Sequence, residues 1–197
     1  FNHKTISAIL GTSFGVIIAG LIAFYVGNKA NLSGLSAEEA TMLMYIPQGI
    51  QFNFRQLLFA GIIMGSLGAA MDIGISIASS IEEIHKANPK LSRGRLFRSG
   101  MNVGKDVMGT MVNTLILAYT GTSIPMLLLF MAYETELSKV FNLDVIATEV
   151  VRSLSGSIGL ILTIPITALF ASYYTKEYGR KKAREIKNDE QINEVSE

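Results

Sequence analysis

The apolar run from Leu57 to Ser80 constrains this chain more than any other segment. Gly61, Gly65, Gly68, Asp72, Ser76 and Ser79 recur within it at steps of three and four. At about 100° per residue these six positions fall within a wedge of about 80°. Ile62, Ile63, Met64, Leu67, Ile73, Ile75 and Ile77 take the rest of the circumference. The period is that of a helix, the length suits a bilayer, and one face is small and polar with a single carboxyl group in it. A carboxylate at the centre of a membrane helix costs about 2.5 to 3.5 kcal/mol on insertion scales, so an intramembrane Asp is by default a functional candidate.

Composition agrees with a membrane setting. Hydrophobic residues make up 49% of the chain and charged residues 17%, against roughly 25% charged in soluble domains, and the mean hydropathy is +0.38. The absence of cysteine excludes disulfides, thiolate metal sites and cysteine nucleophiles. With His3 and His85 as the only histidines, no metal site is expected, and no cofactor. A secretory signal is not expected either, because the apolar stretch from Thr5 to Val26 is longer than a signal-peptide core and has no cleavage site. The first residue is Phe1, so further helices are expected upstream.

Four stretches are long enough to cross about 30 Å of hydrocarbon: 5–26, 57–80, 107–133 and 154–174. The fold class expected is therefore all-α, a polytopic transmembrane helical bundle over residues 1–175, with a charged tail over 176–197. The third stretch is over-long and carries Gly121, Thr122, Ser123, Ile124 and Pro125, a composition that suits two half-helices joined by a break. The connector from Glu82 to Asp106 holds Lys86, Lys90, Arg93, Arg95, Arg98 and Lys105, and the tail holds Lys176, Arg180, Lys181, Lys182, Arg184 and Lys187. The positive-inside rule places both in the cytoplasm, with both ends of this sequence there. Ser36, Glu38 and Glu39 predict a short helix in the first outer connector. Ser92 after Pro89 predicts a capped elbow helix that shows Leu96 and Phe97 to the membrane and Arg93, Arg95 and Arg98 to lipid phosphates. Beyond Lys187 the tail turns acidic and polar and is expected to fray.

The candidate residues each carry two readings. Gly61, Gly65 and Gly68, like Gly156 and Gly159, suit close helix packing where lipid gives no hydrophobic drive for association. Asp72 is either a proton or ion carrier or a structural carboxyl group held by hydrogen bonds. Ser76, Thr110, Asn113 and Thr114 are its candidate partners, and they can equally serve only to join helices. Glu149 and Arg152 stand one helical turn apart and form an expected interface pair. The basic connector reads as a topology signal with anionic lipid contact, and nucleic-acid binding is not expected. An intramembrane aspartyl protease needs two carboxylates close together, and Asp106 is too far from Asp72 in depth. No HExxH sequence or serine-histidine pair at bilayer depth is present, so no enzyme is expected.

Several segments, taken in order, resemble one family. They are Gly65 to Ser80, with Gly68, Ala69, Ala70, Met71 and Asp72 inside it; Leu91, Ser92 and Arg93 at the elbow; and Phe97 to Thr110. Asn113 to Leu115, Ala118 with Tyr119, Glu149 to Arg152, Gly156 to Gly159 and Ile164 to Thr167 follow. Together they look like the YibE/F family of bacterial multipass membrane proteins, over about Lys4 to Tyr174. The resemblance implies a bacterial cell-membrane protein in a hetero- or homo-oligomeric complex, with a YibE-like companion subunit. A weaker likeness is to one half of resistance-nodulation-division and SecDF-type permeases, in which a Gly-rich helix carries an Asp ahead of a basic elbow. Here Ile73 replaces the tyrosine-like position after the Asp. Two functions follow as expectations: a transport or export component in which Asp72 couples protonation to movement, or a structural subunit that binds and stabilises a YibE-like partner.

Overall fold

The computed structural model describes residues 3–36, 38–45, 52–134 and 136–195, with side chains masked at 3, 38, 39 and 180–195. The chain is 87% helical. Its elements are α1 (His3–Lys29), α2 (Glu38–Leu43), α3 (Phe54–Ala87), α4 (Arg93–Ala132), α5 (Leu137–Phe141) and α6 (Asp144–Val195). α1, α3, α4 and α6 are each long and apolar enough to cross a membrane. In hydrocarbon every backbone N–H and C=O must find a partner within the protein, and helices provide that internally.

Two expected boundaries differ. The elbow helix and the third span form one uninterrupted helix, α4, with Pro125 inside it. Ser92 caps its start, with the Arg95 amide donating to Ser92 Oγ at 3.4 Å. The expected break at Gly121 to Pro125 is absent. Pro125 withholds the N–H that would meet the Gly121 carbonyl, and the helix nevertheless continues through it to Ala132. Thr122 Oγ1 and Ser123 Oγ both donate to the Tyr119 carbonyl at 2.9 and 3.1 Å, so these hydroxyls are engaged on their own helix. The second difference is the tail: α6 passes Thr175 without a boundary and stays helical to Val195. After Gly179 it contains no Gly or Pro and is rich in Lys, Arg and Glu, all good helix formers.

The described residues fall into two compact units. One comprises residues 1–14, 71–107 and 162–197, and the other 15–70 and 108–161. In the first, Ile73, Ile77, Ile81, Leu96, Ile164, Ala168 and Ala171 are buried. Helices approach there at glycine. Gly11 lies against Thr167, Gly104 against Ile164, and a Cβ added at Gly74 would stand 2.6 Å from Thr12 Oγ1 and 3.3 Å from the Ala8 carbonyl. The turn between α3 and α4 is held by α6: Lys176 Nζ donates to the Pro89 carbonyl at 2.8 Å and to the Leu91 carbonyl at 2.7 Å. Arg93 lies 4.4 Å over the Tyr173 ring, a cation–π contact.

In the second unit, Ala23, Leu32, Leu58, Phe59, Ile62 and Val151 form a buried cluster with Ala147 packed on it. Gly159 allows α6 to meet α1, because a Cβ there would stand 2.6 Å from Ala19 Cβ and 3.0 Å from the Gly15 carbonyl. The segment after α1 turns through Asn31 at φ 51° and Gly34 at φ 80°. At Gly34 a side chain is doubly excluded, by that φ and by the Phe54 carbonyl against it. Arg55 clamps the same segment by donating to the Leu32 carbonyl at 2.9 Å and Asn28 Oδ1 at 3.3 Å. Asp144, the first residue of α6, accepts from the Ser33 amide at 3.3 Å and the Ser33 hydroxyl at 2.5 Å.

Gly159→Val should lower stability by about 1 to 3 kcal/mol, because backbone and Cβ atoms face the added side chain. Gly61→Ala, with nothing within 4 Å, should leave it unchanged or raise it by up to about 1 kcal/mol through the better helix propensity of alanine; equal losses in thermal unfolding of the detergent-solubilised chain would contradict this packing. Lys176→Met should release the Pro89 and Leu91 carbonyls and speed amide exchange over residues 88–92, read by hydrogen–deuterium exchange.

Candidate functional site

Asp72 lies midway along α3 and is exposed. Its carboxylate takes no hydrogen bond among the described residues. The four candidate partners do not supply one. The Thr114 hydroxyl donates to the Thr110 carbonyl at 2.8 Å, and the Ser76 carbonyl accepts from Ser80 Oγ at 2.8 Å; Thr110 and Asn113 are exposed on α4. Short hydroxyl side chains on a helix reach their own backbone one turn back, which is how Thr114 and Ser80 come to be engaged locally.

The glycine row beside Asp72 is also open. A Cβ at Gly61 or Gly68 would meet nothing within 4 Å, and at Gly65 only the Tyr119 hydroxyl, at 3.6 Å. Spacing shows that these residues share a face, but whether a neighbour occupies that face depends on how the helices turn toward one another. Among the described residues, tight approaches occur instead at other glycines, Gly11, Gly74, Gly100, Gly104 and Gly159 among them, while Gly156 has ordinary contacts at 3.7 to 3.9 Å with Leu115, Ser66 and Tyr119. α4 shows a similar openness. Its buried residues are Leu96, Gly100 and Gly104, and none of its most apolar stretch is buried.

Glu149 and Arg152 do form a pair, with Arg152 Nη1 3.0 Å from Glu149 Oε1 and side chains only 31% and 24% exposed for Arg152 and Glu149. Glu149 Oε2 and Arg152 Nε are buried without hydrogen-bond partners among the described residues. Glu149 also lines a groove of about 200 Å³ between α4 and α6, with Tyr119, Thr120, Ser123 and Ser153 and the apolar Ile116, Leu127, Ile146 and Val150. Sequence reasoning found the pair and missed the groove. The available signal was the spacing of Glu149 and Ser153 on one helix face, four residues apart, but nothing in the sequence aligned that face with Tyr119 and Ser123.

The family described as YibE/F-like protein matches residues 1–177. The chain belongs to that family. No curated protein and no solved structure matches it, and the likeness to resistance-nodulation-division and SecDF-type permeases has no counterpart in these comparisons. This YibE/F-like protein is a membrane protein with four membrane-spanning-length helices.

Arg152→Ala should destabilise the chain by about 1 to 3 kcal/mol, since it leaves a largely covered carboxylate uncompensated. Lys86→Ala removes ion pairs to Glu82 and Glu83 in which the lysine is 60% exposed, and should cost less than Arg152→Ala because solvent screens an exposed pair. Thermal unfolding of the two variants side by side checks the order.

Proposed function

We propose that this YibE/F-like protein is one part of a membrane transport complex in which Asp72 is the proton- or ion-coupling group. The observation that carries this reading is the bare Asp72 carboxylate on an exposed face of α3. An ionisable side chain within a membrane helix faces a bundle interior, a water-filled cavity or a partner rather than lipid. Other helices therefore cover Asp72, and they come from a YibE-like subunit, a second copy, or further helices of the same polypeptide. The exposed Asn113 on α4 favours the same conclusion, because an amide side chain joins membrane helices rather than dissolving in lipid. The complex lies in the bacterial cell membrane with both ends of this sequence in the cytoplasm. Support for that orientation is the basic set Lys86, Lys90, Arg93, Arg95, Arg98 and Lys105 on one connector.

A second reading has its own observation. The open Gly61 and Gly68 suit a helix-binding face, so the chain can act as a structural subunit, with Asp72 anchoring the contact and no transport of its own.

Asp72→Asn separates the two. Under the coupling reading the variant inserts and copurifies with its partners but loses function, and a hydrophobic carbodiimide labels wild-type Asp72 in native membranes. Dissociation of the complex in mild detergent supports the structural reading instead. An intact, fully active Asp72→Asn complex with no labelling at any pH would remove both.

A further inference from the structure

We propose that the groove between α4 and α6 binds a small hydrophobic ammonium ion, with Glu149 as its acceptor. This inference is independent of Asp72. Glu149 uses one carboxylate oxygen on Arg152, and the other, Oε2, is buried with no partner among the described residues. Leaving a buried acceptor unsatisfied costs about 1 to 3 kcal/mol, more for a charged group, so an arriving donor gains that interaction.

The rest of the lining selects the same chemistry. The Ser123 hydroxyl donates to the Tyr119 carbonyl and the Ser153 hydroxyl to the Val150 carbonyl, at 3.1 and 3.2 Å. Their protons are engaged on the helix backbone, so toward the groove these oxygens offer lone pairs. Arg152 is not part of the lining, and Glu149 is the only charged residue in it. Glu149 and these two hydroxyl oxygens thus offer acceptors to an ammonium, and a cation that reaches Glu149 shares the carboxylate with the Arg152 guanidinium, 3.0 Å from Oε1. Ile116, Leu127, Ile146 and Val150 supply apolar walls for a hydrocarbon body. A volume of about 200 Å³ lies below the roughly 300–1,000 Å³ of drug-sized pockets and limits the ligand to a small ring or short chain. Oε2 is covered, so engagement requires the Glu149 side chain to swing toward the groove about its sp³ torsions, because a flip about the last torsion only exchanges two equivalent oxygens. Arg152 is expected to keep its contact through this swing, with the ligand and the guanidinium sharing the two oxygens.

The test uses the full chain in lipid nanodiscs, with benzylammonium as probe and benzyl alcohol and benzoate as isosteric comparisons, read by saturation-transfer NMR against empty discs. The expected result is saturable benzylammonium binding at least tenfold tighter than that of benzyl alcohol, with no benzoate binding. Glu149→Gln should weaken it tenfold or more, and Glu136→Gln, at an exposed carboxylate paired with Lys139, should leave it unchanged. Equal binding of the alcohol, unchanged binding in Glu149→Gln, or no saturable binding would overturn the proposal. So would a lipid retained in the groove that benzylammonium does not displace in native mass spectrometry. If Glu149→Gln does not fold, Ser153→Phe fills the groove while leaving the Glu149–Arg152 pair in place. Loss of binding in that folded variant supports the site, and retained binding overturns it.

Discussion

Contact between helix backbones at glycine is the interaction on which the rest of this structure depends. In a bilayer, lipid tails are as apolar as leucine, so helices associate through close van der Waals approach and interhelical hydrogen bonds rather than by escaping water. Gly11 against Thr167, Gly74 against Thr12 and the Ala8 carbonyl, and Gly159 against Ala19 and the Gly15 carbonyl are contacts of that kind. Each would be closed by a single methyl group. They fix which faces of α1, α3 and α6 turn inward in their respective units. By the same step they fix which polar side chains are left outside, and Asp72 is the most consequential of these.

Polar groups at the connectors are treated differently from Asp72. Arg55, Lys176 and Asp144 each bind backbone groups or a short hydroxyl side chain in the turns. These bonds satisfy carbonyl and amide groups where helical pairing ends, and they tie segments far apart in sequence. Asp72 has no such task within the described residues. Glu149 stands between the two cases, with one oxygen engaged by Arg152 and one without a partner. Under the function proposed above, the bare Asp72 carboxylate meets helices from outside the described residues instead of groups within them.

Much of the architecture was legible in sequence because it rests on local periodicity and length. The four spans, the short helix after Ser36, the Ser92 cap and the Glu149–Arg152 pair all involve residues within one or two helical turns. The break expected at Gly121 to Pro125 was not found, because a proline removes one N–H from a helix and the remaining turns of α4 continue on both sides of it. The tail beyond Lys187 was read as frayed on its polarity, yet it continues a helix already nucleated by the preceding span.

The candidate site was less legible. Periodicity placed Gly61, Gly65, Gly68 and Asp72 on one face, and the sequence by itself thus determined that the chain is a helical membrane protein with a carboxyl group set among small residues. It also determined the family, through motifs running the length of the spans. Only the tertiary structure decided that this face is open, that the close contacts fall at Gly74, Gly104 and Gly159, and that Glu149 shares a groove with Tyr119 and Ser123. The physical reason is that a helical period fixes relative angles around one axis, whereas the rotation of that axis toward its neighbours is set by packing among residues far apart in the chain.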